Sequence, residues 1–194
     1  YLDSLRPQFL GNLLLIVIEK LSLWRWLPQS LKSRESADWL RVLIGTLLFP
    51  WTVLIWRRRA LSLARNYVNS ELLQSLSRNP YARVIIATRG FEFIVQPLLA
   101  YMPLNVEALQ GCRFWRGGLD RQKGKEEMLS RLLSEQEIRD SALITDSLDD
   151  ASLLAIAKYP FLVQWPQAKY VRAMSGAYLP LFYIEKVKKP GQKF

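Results

Sequence analysis

No histidine occurs anywhere in these 194 residues, and Cys112 is the single cysteine. The first absence excludes a Ser-His-Asp triad, a Cys-His pair and any histidine-ligated metal. The second excludes an intrachain disulfide and a thiolate zinc cluster, and a lone cysteine reads as a small packing residue. Chemistry is left to carboxylates, hydroxyls, lysines and arginines, with or without a hard metal ion. Long hydrophobic runs are also missing. Phe9 to Ile18 (FLGNLLLIVI) and Val42 to Trp56 (VLIGTLLFPWTVLIW) are free of charge. Neither reaches the ~20 residues that a transmembrane helix needs, and Pro50 interrupts the longer one. The first run lacks the basic leader and small-residue cleavage site of a signal peptide. A continuous helix from Ser36 to Ser77 is not expected, because Pro50 should kink or end it.

What is present points to a folded chain. Half of the residues are hydrophobic and 12% are aromatic, which argues against disorder and suits one domain, or one domain carrying a smaller insertion. The net charge is 27 − 17 = +10 and the predicted pI is near 9.9. Such a balance favours phosphorylated ligands, nucleic acid or an anionic membrane surface. The charge is spread: residues 1–80 carry 11 basic and 5 acidic side chains, and residues 81–194 carry 16 and 12. No zinc-finger, basic-zipper or RNA-recognition signature occurs, so nucleic acid is not the expected partner.

The first 80 residues are the apolar part, holding five of the seven tryptophans (Trp24, Trp26, Trp39, Trp51 and Trp56). Arg57-Arg58-Arg59 follows the second apolar run directly. Two readings stand side by side: a compact helical bundle, or an interfacial segment with Trp and basic residues at its edge. The preferred expectation is that the two runs pack mainly on each other. Trp51, Trp56 and Arg57 to Arg59 would then remain at a surface able to meet anionic headgroups.

From Tyr81 the pattern changes to strand, polar turn, helix, repeated. Strands are expected at Arg83 to Thr88, more weakly at Gly111 to Trp115, and at Ala142 to Thr145 and Phe161 to Val163. Helices are expected at Phe91 to Tyr101, Lys123 to Leu133 and Ala151 to Ala157. This is the signal of a parallel sheet with helices on its faces, where ligands sit outside the carboxyl ends of the strands. The residues just past the strands therefore need the closest reading. They are Thr88-Arg89-Gly90 after one strand and Asp146 to Asp150 after another, with Lys123-Gly124-Lys125 between them at a helix start. Asp146, Asp149 and Asp150 repel one another unless a cation or basic group neutralises them. Mg²⁺ takes one or two such carboxylates together with phosphate and water. The plain alternative is that these residues only cap a helix.

In this order the three pieces resemble motifs of the haloacid dehalogenase-like phosphatase superfamily. ATRGF (Ala87 to Phe91) is similar to its second motif, KGKEEML (Lys123 to Leu129) to its third and ITDSLDDASLL (Ile144 to Leu154) to its fourth. The most similar branch is that of phosphoserine phosphatase, in which a helical cap lies between the first and second motifs. The resemblance implies an α/β fold: a Rossmann-like parallel sheet flanked by helices over 81–194, preceded by an all-helical cap over 1–80. It also implies roles. Thr88 would hydrogen-bond the transferring phosphoryl oxygens, with Arg89 and Gly90 in the same phosphate-binding turn. Lys125, or alternatively Lys123, would neutralise phosphate charge. Asp146 would bind Mg²⁺, and Asp150 would orient a metal-bound water or reach the ion. These roles suit phosphoryl transfer, where catalysis is mostly positioning and charge neutralisation.

One departure is large. The family's first motif, Asp-x-Asp-x-Thr, carries the nucleophile that forms the aspartyl-phosphate. Only Asp3 and Asp38 are aspartates before Thr88, and neither fits that motif. The expectation is therefore an Mg²⁺-dependent phosphomonoester hydrolase of which this chain is a piece, with the first strand missing and the chain inactive alone. The alternative is a non-catalytic, membrane-associated module with a degenerate phosphatase-like domain. The expected partner is a phosphorylated small molecule or a lipid-linked phosphate, the apolar cap hinting at a lipid-linked or hydrophobic one. The expected location is cytoplasmic, peripheral on a membrane if the apolar segment meets lipid.

Overall fold

The computed structural model describes residues 1–21, 25, 34–67, 70–78, 83–164 and 183–186. Trp24, Trp26 and the basic ending after Lys186 lie outside the described residues. The chain divides into two compact units, one of residues 1–65 and 83–124, the other of residues 66–82 and 125–194.

The first unit opens with three helices, α1 (Gln8–Lys20), α2 (Arg34–Leu48) and α3 (Thr52–Tyr67). The expected break at Pro50 is there: α2 and α3 meet at 113°. Among the described residues no single helix is long and apolar enough to cross a membrane. Along α3, Thr52, Trp56, Ala60 and Ala64 are buried, an i, i+4 stripe that forms the inward face. Trp56 is thus not at a surface, as the sequence led us to expect. It lies on that stripe, its Nε1 donates to the Ile94 carbonyl at 2.9 Å, and its ring meets Tyr1 edge-on. Trp51 and Arg57 to Arg59 are exposed. The two apolar runs do not satisfy each other either, because much of α1 remains exposed, including Phe9, Leu13 and Ile16.

The same unit holds a strand–helix–strand element: β1 (Val84–Phe91), α5 (Glu92–Leu99) and β2 (Val106–Cys112). The β-branched run Val84-Ile85-Ile86 pairs in parallel with β2. Trp39 of α2 docks here, its Nε1 donating to the Phe114 carbonyl at 2.8 Å. Gly117, which begins α6 (Gly117–Leu129), lies so close to Phe91 and Trp39 that a Cβ would collide with both rings. Gly124 interrupts α6 at φ 78°, ψ 169°, a region open essentially to glycine alone. The chain leaves the first unit at this point.

The second unit contains α4 (Ser70–Ser77), the remainder of α6, α7 (Glu135–Arg139), β3 (Ala142–Thr145), α8 (Ala151–Ile156), β4 (Tyr159–Gln164) and β5 (Tyr183–Lys186). Ser134 and Glu137 form a reciprocal capping box that starts α7, satisfying two otherwise orphaned N–H groups. β3, β4 and β5 form a three-stranded sheet in which both neighbouring pairs are parallel. Its core is built on Met128, Leu153, Leu154 and Leu162.

The architecture is therefore mixed α/β with parallel strand pairing. Among the described residues the single sheet expected from residue 81 onward does not form: β1 and β2 make one sheet and β3, β4 and β5 another, so Thr88 lies in a strand of the one and Asp146 just after a strand of the other. A strand–turn–helix pattern identifies each β–α–β element, but leaves open which elements share hydrogen bonds.

Candidate functional site

The residues singled out by sequence fall in both units, and each group has its own local geometry. In the second unit, β3 ends at Thr145 and the chain turns sharply. Ser147 N donates to Thr145 Oγ1 at 3.2 Å, and Asp149 N donates to Ser147 Oγ at 3.3 Å. A short 3-10 turn, Leu148–Asp150, then leads into α8. Small hydroxyl side chains in this stretch bond the local backbone, which is what closes so tight a strand-to-helix turn.

Asp150 occupies the N-cap position of α8, but its side chain makes no capping hydrogen bond. Its carboxylate is 3% exposed as a residue and accepts two other bonds instead. Lys125 Nζ donates to Oδ2 at 2.5 Å, and Thr145 Oγ1 donates to the same oxygen at 2.5 Å. A buried carboxylate is costly unless a cation and hydrogen bonds compensate it, and here both do. The simple capping explanation therefore fails for Asp150. Asp149 is exposed. Asp146, the residue directly after β3, is also exposed.

Lys123 and Lys125 stand on either side of a break in α6. Lys123 is exposed and lies before the break at Gly124, whereas Lys125 opens the helical turn after it and reaches Asp150. Thr145 was not among the residues the sequence singled out. A threonine at the end of a strand reads as an ordinary β-former, so nothing in its spacing marks it.

In the first unit, Thr88, Arg89 and Gly90 lie within β1 rather than after it, at an irregularity. Ala87 pairs with Gln110 and Phe91 with Cys112, so three residues of β1 bulge opposite Gly111. Gly90 N donates to Thr88 Oγ1 at 3.0 Å. Gly111 N donates to Glu92 Oε1 at 3.1 Å. A Cβ on Gly111 would stand 2.9 Å from the Gly90 carbonyl oxygen, so the bulge requires glycine there. The Arg89 carbonyl accepts from Arg121 Nε at 3.0 Å and from the Cys112 thiol at 3.3 Å.

A second buried carboxylate escaped the sequence reading. Asp120, 2% exposed, accepts from Arg113 N at 3.1 Å, Arg113 Nε at 3.0 Å and Arg113 Nη2 at 2.7 Å. The hydrogen bond to Asp120 raises the Arg113 guanidinium above its ordinary value. Beside it Cys112 is fully buried, and burial pushes its thiol up to about 11 against the pull of Arg121. Cys112 is thus a packing residue, held protonated.

Whether Mg²⁺ fits depends on the donor set. Among the described residues no three Asp, Glu, Cys or His side chains converge as a metal centre. At the end of β3, Asp146 is exposed and Asp150 has Oδ2 engaged by Lys125 and Thr145, where an ion held by one or two carboxylates would need phosphate and water to complete its shell. No protein-family model, no curated protein and no solved structure matches this chain.

Proposed function

We propose that this chain is the phosphate- and Mg²⁺-binding part of a phosphomonoester hydrolase of the haloacid dehalogenase-like kind. Its nucleophile would come from an Asp-x-Asp-x-Thr segment that these 194 residues do not contain. The observation that carries the reading is Asp150: an aspartate at a helix N-cap that forgoes the cap and holds Lys125 instead.

In this reading Asp150 and Thr145 fix the Lys125 ammonium at the carboxyl end of a parallel strand, where ligands of such sheets bind. A lysine is a compact point charge that tolerates exchange of partners, so Lys125 can turn part of its charge toward a phosphoryl oxygen while remaining anchored. Asp146 would hold Mg²⁺, which when bound supplies charge neutralisation on the phosphate. Asp150 would orient the water beside it. All of these are positioning and electrostatic tasks, the kind that dominate phosphoryl transfer.

The residues encoded before Tyr1 test the proposal directly. A strand ending in Asp-x-Asp-x-Thr supports it, and a sequence without that motif removes the covalent step. The 194-residue chain alone should not hydrolyse an aryl phosphate. Turnover by that chain, lost in Asp146→Asn, would show that a nucleophile is already present and contradict this assignment.

A further inference from the structure

The first unit leaves an apolar face uncovered among its described residues. On α1, Phe9 is 69% exposed, Leu13 55% and Ile16 48%, positions that repeat along one side of a helix. At the α2–α3 bend Trp51 is 44% exposed and Leu54 61%. The two sets adjoin, because Trp51 Nε1 donates to the Arg6 carbonyl at 2.7 Å, just ahead of α1. With its one polar atom satisfied inside the protein, the Trp51 indole presents hydrocarbon outward. Exposed apolar surface collected in one place marks an interaction site rather than ordinary surface.

Charge selects the occupant. From Ser4 to Ile18 there is no acidic residue, and from Trp39 to Ser70 there is none either, while the second stretch carries five arginines. On α3, Arg57 and Arg58 are exposed and lie three and four residues beyond Leu54, on the same helix side. An apolar face flanked by arginines, the one acid of α1 being Glu19 at its end, paired with Arg41 at 3.5 Å, matches a leaflet with anionic headgroups, with apolar side chains below the headgroup level and guanidinium groups among the phosphates. A second copy of the chain fits less well, since a self-complementary contact would bring Arg57 and Arg58 against the same arginines of the other copy. No single described helix is long and apolar enough to cross a membrane, while α2 and α3, bent by 113°, are so together, so extraction conditions separate a resting from an inserted surface.

We propose that the outer face of α1 and the α2–α3 bend form a docking surface for an anionic membrane, engaging lipid without crossing it. The proposal stands independently of the phosphatase reading. Cosedimentation of the full chain with phosphatidylserine–phosphatidylcholine vesicles, against pure phosphatidylcholine, tests it. Binding should require the anionic lipid and weaken at high salt. It should fall by about fivefold for each of Arg57→Ala and Arg58→Ala, and about tenfold for Leu13→Ser. All three residues are exposed, so far-ultraviolet circular dichroism should show the variants folded. Equal binding to neutral vesicles, or binding indifferent to these substitutions, would overturn it. So would a chain that ignores vesicles and dimerises through Leu13, or one that only detergent removes from the bilayer.

Discussion

Two buried carboxylates, one in each unit, share a degree of burial and differ in what holds them. Asp120 is clasped by the Arg113 fork and by the Arg113 backbone N–H, using both of its oxygens. Asp150 receives Lys125 and Thr145 on a single oxygen. An arginine fork on a carboxylate is planar, directional and closed, whereas an ammonium beside a carboxylate keeps donors to spare. The first arrangement secures a turn between β2 and α6. In the proposed reading the second holds a cation for another anion. Burial alone would rank the two sites as equals, and the donor geometry separates them.

The sharpest way to break this comparison is to remove each acid or its cation in turn. Lys125→Met should lower unfolding free energy by about 3 kcal/mol, since it strands the buried Asp150 carboxylate with Thr145 as its remaining donor. Denaturant unfolding followed by circular dichroism measures it, and a change within error would make the Lys125–Asp150 contact incidental. Asp120→Ala should cost less, about 2 kcal/mol, because it removes the buried charge together with its hydrogen bonds and leaves an exposed Arg113 in water. Should Asp120→Ala prove the more damaging of the two, the arginine fork would outweigh the stranded carboxylate and the ranking of the two sites would reverse.

A smaller effect concerns pH. The unfolded Cys112 thiol ionises at its ordinary value of 9.0, while the folded thiol keeps its proton to about 11. Between those values the folded state binds more protons, so stability falls as pH rises through the window, by about 1–2 kcal/mol. The stability difference between wild type and Cys112→Ala should be constant below that window and change through it. A difference constant throughout would mean that the first unit admits solvent to the thiol. The smallest effect is at Gly124. Its positive φ makes Gly124→Ala strained by about 1 kcal/mol, although open space surrounds the added Cβ.

How much of this was legible in the sequence depends on the range of the interaction. β1, β3, β4 and α8 follow from β-branched runs and local turn residues, and they form close to where those signals lie. β2 forms at Val106–Cys112, upstream of the expected strand, because VEALQGC mixes polar residues and glycine with its apolar ones. The Ser134-x-x-Glu137 capping signature is visible in the sequence, yet α7 is only five residues long and carries little periodicity. Trp56 and Trp51 look alike in an apolar run, and only the helical stripe through Thr52, Ala60 and Ala64 tells which one faces inward. The division into two sheets has no local signal at all.

At the candidate site the motif resemblance marked Lys125, with Lys123 as its alternative, and Asp150, which meet as an ion pair, while Asp146 is exposed just past β3. The resemblance could not mark Thr145, whose role depends on a carboxylate folding back onto it. Nor could it show the Thr88–Gly90 bulge, which depends on Gly111 in the neighbouring strand. Local chemistry reads from the chain, and pairing between elements does not.

The central claim is that Lys125, held by Asp150, is available to phosphate while Arg113, held by Asp120, is not. Titration of the full chain with inorganic phosphate in the presence of Mg²⁺, followed by ³¹P line broadening, tests it most directly. Binding should be seen in the wild-type chain, be lost in Lys125→Met and survive in Arg113→Met. Binding that persists in Lys125→Met and disappears in Arg113→Met, or no binding at all, would contradict the account.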